Sequence, residues 1–169
     1  DRKVVWVRVP PAAFQQKSMG KQKLPDKDFN WSPDLAYTIG LIATDGCLSN
    51  DGRHIILRSS DIDQIETFKK CLGLSNRIGA PSTKGTLSPR ICYRLQFGDV
   101  QFYHWLQKIG LFAAKSYTIG SLKIPDRYFR DFLRGHLDGD GSITTYQDSY
   151  NVSKHPDYIY TRLFVRFIS

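Results

Sequence analysis

Polar and apolar positions along the chain alternate between a helical and an extended period, and the changes of period mark the elements. Ser32-Pro33-Asp34 has the signature of a helix start. Serine is a good N-cap, proline suits the first helical position, and an acid in the first turn meets the positive end of the dipole. The pattern predicts a helix over 33–44 that delivers Asp45 at its end, with Ala36, Gly40 and Ala43 lining one face at i, i+4 and i+7. Such small residues let a second backbone approach closely. A short strand at 47–49, the turn Asn50-Asp51-Gly52 and a strand at 53–59 then read as a hairpin. Asp61 with Gln64 resembles a capping box, and Ile62, Ile65, Phe68 and Leu72 share a helical face before Gly73. A second hairpin is predicted over 77–97, with a loop containing Lys84-Gly85, followed by a helix over 100–109 capped by Asp99 and closed by Gly110. A last helix covers about 125–138, and the order is αββαββα.

Strict alternation assigns faces within the strands. In 90–97, Ile91, Tyr93, Leu95 and Phe97 fall on one face, and Arg90, Arg94 and Gln96 on the other. A charged outer face is by default only solvated. Arginine and glutamine are nevertheless the side chains that make bidentate contacts with guanine and adenine edges in the major groove. After the last helix, a strand at 142–146 and a partner at 158–167 would turn Ile159, Leu163, Val165 and Phe167 inward, and Tyr158, Tyr160, Arg162 and Arg166 outward.

Two segments repeat a motif: Thr38-Ile39-Gly40-Leu41-Ile42-Ala43-Thr44-Asp45-Gly46 and Leu133-Arg134-Gly135-His136-Leu137-Asp138-Gly139-Asp140-Gly141. Each reads as a helix end with an internal glycine and a closing Asp-Gly. A carboxylate at a helix C-terminus faces the negative end of the macrodipole, so a positive group should compensate. Gly40 and Gly135 lie inside the helical register, where glycine costs stability, and Gly139 offers a further close approach; a stop signal explains Gly46 and Gly141 better than these. Packed together, the two helices would bring Asp45 and Asp140 to one place, an oxygen-ligand site for a divalent cation.

Both segments resemble the LAGLIDADG motif of the homing endonucleases. Gly40, Leu41, Ile42, Asp45 and Gly46 match in the first copy, and Leu133, Gly135, Asp138, Asp140 and Gly141 in the second, while Ala43, Thr44 and His136 depart from it. The resemblance implies an α+β fold, a LAGLIDADG homing-endonuclease-like αββαββα half with a saddle-shaped antiparallel sheet, then the second motif helix and the start of a second half. It implies a site-specific endonuclease that hydrolyses phosphodiester bonds in double-stranded DNA with Mg²⁺ or Mn²⁺ held by Asp45 and Asp140. Lys115 is the first candidate for an assisting basic residue and Arg94 the second. The same resemblance places Arg58, Lys84, Arg90, Arg94, Gln96, Arg162 and Arg166 at DNA, and Gly40, Ala43, Gly135 and Gly139 between the motif helices. Asp138 is expected to bond locally rather than to metal. Two other functions share the fold: a non-cleaving DNA-binding regulator, and a splicing maturase acting on intron RNA.

Composition narrows the partner. A net charge of +8 and a pI near 9.5 favour a polyanion. Cys47, Cys71 and Cys92 form no C-x-x-C pair, so neither a disulfide framework nor a structural zinc site is indicated, and a reducing cytoplasm or organellar matrix fits. The four histidines have no metal-ligand spacing, and Trp31 and Trp105 read as core. No apolar run approaches a membrane span. Three segments are expected: an extension over 1–31, a first half over 32–124, and a second motif helix with an incomplete second half over 125–169, monomeric when full length. Within the extension, Val7-Arg8-Val9-Pro10-Pro11 is what the TΨC arm of a transfer-RNA gene would give if read as protein, so translation is expected to begin at Met19. Starting there removes one acid and four basic residues, lowering the net charge from +8 to +5.

Overall fold

The computed structural model describes residues 29–79, 91–115, 119–150, 157 and 159–167. The proposed start at Met19, Lys84, Arg90 and Tyr158 lie outside these residues. The fold is mixed α+β with two antiparallel sheets. Helix α1, Pro33–Thr44, begins where Ser32 Oγ accepts a hydrogen bond from the Leu35 amide at 3.1 Å, and Asp45 is its C-cap. Strands β1 (Gly46–Leu48) and β2 (His54–Ser59) follow, joined through a turn in which Gly52 takes a φ of 75°. Helix α2 spans Ile62–Cys71, β3 spans Tyr93–Gly98, and α3 spans Val100–Lys108. Asp61 and Asp99 cap the two helices, accepting from Asp63 N and Phe102 N.

The first sheet runs β1-β2-β3, with Cys47, Ile56 and Gln96 in one cross-strand row and Arg58 opposite Arg94 in another. Gly79 bridges Arg94 on the far edge of β3, so of the hairpin expected over 77–97 the described residues 77–79 show this single bridge beside β3, and 80–90 lie outside the described residues. Helices cover the inner face. Ile55, Leu57, Leu95 and Phe97 join Ile39 and Ile42 of α1, Ile65 and Phe68 of α2, and Phe102 and Leu106 of α3 in one core. Full burial of each such side chain contributes on the order of 1.5–3 kcal/mol. Trp31 and Trp105 are not in the core itself but pack half-buried against it: their rings lie 5.2 Å apart, Trp105 stacks on Phe102, and Trp31 stacks on Tyr128 at the start of the last helix.

Three expectations change here. Ile91 is exposed and precedes the strand, which starts only where pairing with Ser59 begins at Tyr93. Gln64 does not close a capping box; its Nε2 reaches across the molecule to the Asp138 carbonyl at 2.6 Å, satisfying an orphan acceptor in the last turn of another helix. That helix, α4, spans Asp126–Asp140 and so runs two residues beyond its expected end.

After α4, β4 (Ser142–Asp148) pairs with β5 (Tyr160–Arg166) in a separate two-stranded sheet, with Tyr146 opposite Arg162. Ile159, Leu163, Val165 and Phe167 are expected to turn inward, yet all four are exposed, as is Ile143 opposite Val165. Among the described residues no helix lies over this hairpin as α2 and α3 lie over the first sheet. Phe164 stands on the side of Arg162 and Arg166, where its ring meets Tyr146.

Candidate functional site

Helices α1 and α4 form the most extensive contact between elements in the fold, and glycines make it a contact of backbones. A Cβ on Gly40 would stand 2.6 Å from His136 N and 2.8 Å from Gly135 C. A Cβ on Gly135 would overlap the Tyr37 carbonyl, and one on Gly139 would overlap the Thr44 hydroxyl. No side chain larger than hydrogen fits at these three positions without separating the helices. The α1 residue that meets Gly139 is Thr44, whereas Ala43 packs against the hydrophobic core.

This crossing sets two carboxylates side by side. Asp45 caps α1 and Asp140 is the last residue of α4. Asp45 has its carboxyl pKa raised above the ordinary value, first by burial and then by repulsion from Asp140, with Lys115 pulling the other way. Both acids sit at the negative ends of helices that have no basic residue in their last turn, so the compensating charge must come from elsewhere.

Lys115 supplies it. Its Nζ donates to the Ala43 carbonyl at 2.7 Å and to the Thr44 carbonyl, closing the last turn of α1. Burial lowers its pKa, while Asp140 and Asp45 oppose that shift, so the ammonium lies within the field of both acids. The loop after α3 delivers it through two left-handed residues, Gly110 at φ 108° and Ala114 at φ 56°. A positive φ at alanine is uncommon and costs energy, and here it directly precedes the lysine. Arg94, the second basic candidate, is on the outer face of the first sheet, hydrogen-bonded to Gln96.

The donor set around Asp45 and Asp140 is carboxylate oxygen. Among the described residues no cluster of three or more His, Cys, Asp or Glu is placed to hold a metal, so a cation between these acids would complete its shell from water or a phosphate. Asp138 is engaged locally: it accepts from the Tyr37 hydroxyl at 2.9 Å, and Arg134 lies over the Tyr37 ring at 4.5 Å. Burial and the Asp138 bond push the Tyr37 phenol well above its usual pKa, so it stays a donor. Tyr37 and Gln64 thus pin the end of α4 from two sides. Sequence reasoning missed both, because each partner lies more than 70 positions away. His136 packs edge-on against Phe132 and Phe167 at the same interface.

The outer face of the first sheet carries Cys47, His54, Ile56, Arg58, Arg94 and Gln96, with both arginines exposed. Arg162 and Arg166 lie on one side of the second hairpin, where Arg162 pairs with Asp148 at 2.5 Å. Lys84 and Arg90 cannot be placed with them, lying outside the described residues. The three cysteines are free. Among the described residues no helix is long and apolar enough to cross a membrane.

No protein-family model matches the chain, and no curated protein does. Solved structures similar to it include the I-LtrWI LAGLIDADG homing endonuclease bound to target DNA, at 12% identity and a TM-score of 0.46 over 80% of this chain and 66% of that one. The N-terminal LAGLIDADG domain of DUF199/WhiA follows at 13% identity and 0.41, covering 78% and 64%. Full-length DUF199/WhiA from Thermatoga maritima stands at 14% and 0.39, covering 75% and 43%. The chain therefore spans less than two thirds of the length of each of these structures.

Proposed function

We propose that this protein binds double-stranded DNA across the outer face of its first sheet and hydrolyses phosphodiester bonds at the paired ends of α1 and α4, as a homing endonuclease of the LAGLIDADG kind. The observation that carries the reading is the pairing of Asp45 with Asp140. Their repulsion and the burial of Asp45 cost stability, and so do three glycines inside helices, yet the fold spends both on bringing these acids together. Asp45 and Asp140 would hold Mg²⁺ or Mn²⁺, oxygen-preferring ions that suit an all-carboxylate donor set. Such an ion, when bound, neutralises phosphate charge and lowers the pKa of a bound water.

The rest of the chemistry belongs to the chain. Gly40, Gly135 and Gly139 fix the separation of the acids through backbone contact. Lys115 offsets their charge from the α1 end and can turn part of its ammonium toward a phosphate oxygen. Arg58, Arg94 and Gln96 present donors to the groove, and the net charge of +8 draws the duplex in.

The test is cleavage of a randomised duplex library by the purified protein with Mg²⁺, read by sequencing new ends. Cuts at a defined sequence that vanish with EDTA support the reading. Specific binding without cutting would make the protein a DNA-binding regulator, and selective retention of structured RNA over duplex DNA would make it a maturase.

A further inference from the structure

Resting on the reading that Asp45 and Asp140 act as a metal-dependent pair, we infer that Tyr37 and Gln64 are positioning residues for Asp140 alone, so that removing either slows cleavage of one strand and spares the other. The inference starts from Gly139. Close approach to Thr44 requires glycine there, and glycine is the residue with the greatest backbone freedom. Asp140 therefore hangs from the loosest joint of α4, in its last turn, where helices fray. The turn needs a hold from outside the helix. Asp138, on the other side of that joint, receives two: the Tyr37 hydroxyl donates to its Oδ2 at 2.9 Å, and Gln64 Nε2 donates to its carbonyl at 2.6 Å. One grips the side chain from α1 and the other the backbone from α2, and together they fix the direction in which the chain leaves towards Asp140. Tyr37 is itself confined, buried with Arg134 over its ring, and its raised pKa keeps the proton that it donates.

The hold is one-sided. Packing at the crossing is reciprocal, since Gly40 meets the backbone of Phe132 and His136 while Gly135 meets that of Tyr37 and Leu41, the same positions relative to the two copies of the motif. By that correspondence Asp45 answers to Asp140, Phe132 to Tyr37 and Ala43 to Asp138. Phe132 and Ala43 have no hydrogen-bonding group in their side chains, so the bond between Tyr37 and Asp138 has no counterpart at the Asp45 end. There Lys115 closes the last turn instead. The strands of a duplex are related by a twofold axis, as the two acids are, so each acid stands nearest one scissile phosphate. Slackening the Asp140 end alone therefore acts on one strand.

The experiment follows each strand separately on an end-labelled duplex that the wild type cuts, with Mg²⁺, comparing the wild type, Tyr37→Phe, Gln64→Leu and Asp140→Asn. Tyr37→Phe and Gln64→Leu are each expected to slow one strand about tenfold or more, the effect of slightly misplacing a reacting group, with the other strand and binding in Ca²⁺ within about twofold of the wild type. The slowed strand should be the one that Asp140→Asn fails to cut, and nicked circles should accumulate on a supercoiled plasmid. A merely structural role would reduce the amount of folded protein and slow both strands alike. Equal slowing of the two strands in any of the three variants, slowing of the strand that Asp140→Asn still cuts, or unchanged cutting by either Tyr37→Phe or Gln64→Leu would overturn the inference and leave the paired acids as the active site. A wild type that cuts no duplex would overturn the underlying reading, and this inference with it.

Discussion

Gly135 and Asp45 show how single residues hold the proposed site together. Gly135 faces the Tyr37 carbonyl with no room for a methyl, so Gly135→Ala should force the helices apart despite the better helix propensity of alanine. The expected loss is about 1–3 kcal/mol, read by urea unfolding, and an unchanged midpoint would contradict the backbone contact. Asp45 carries a carboxyl whose pKa is raised in the folded state, so the native protein binds more protons than the unfolded chain between the two values. Stability therefore falls as pH rises through that window. Asp45→Asn should raise the melting temperature at neutral pH, and the gain should shrink as pH falls towards 4. A pH-independent difference between the two proteins would show that the charge of Asp45 is not its cause. The need for a cation at the α1 terminus was legible in the sequence, since a closing acid without a nearby base violates the dipole. Which cation was harder to see, because 24 lysines and arginines compete and only the loop after α3 decides that Lys115 arrives.

Elements differ in how local their causes are, and that decided which of them could be read in advance. Helices α1 and α3 carry their own start signals in Ser32 and Asp99, and both begin where those signals predict. Gln64 carried an equally good local signal and does something else, since the carbonyl it serves is 74 positions away. Alternation told the faces of β3 correctly for Leu95 and Phe97, because helices cover that side. It failed for the β4–β5 hairpin, whose apolar stripe has no helix over it among the described residues. Mutations should report the difference. Leu163→Thr is expected to change stability by less than about 0.5 kcal/mol, as for an exposed site. Leu95→Ala, at 0% exposure, is expected to cost about 2–5 kcal/mol. Comparable losses at the two positions would mean that the hairpin face is covered in solution.

The molecule as a whole joins a basic sheet to an acidic helix end. Binding through the sheet should be strongly salt-dependent, and Arg58→Ala should lower the slope of log affinity against log salt if that side chain meets phosphate. The helix end should matter little for binding and entirely for cutting. The central claim is that Asp45 and Asp140 act as one metal-dependent catalytic pair. The most direct measurement compares the wild type with the Asp45→Asn and Asp140→Asn double variant on a selected duplex, following strand cleavage with Mg²⁺ and binding with Ca²⁺ on the same samples. The account predicts that the double variant keeps specific binding within a few-fold and loses cleavage of both strands. Metal-dependent cleavage by the double variant at the wild-type site would place the active centre elsewhere and contradict the account.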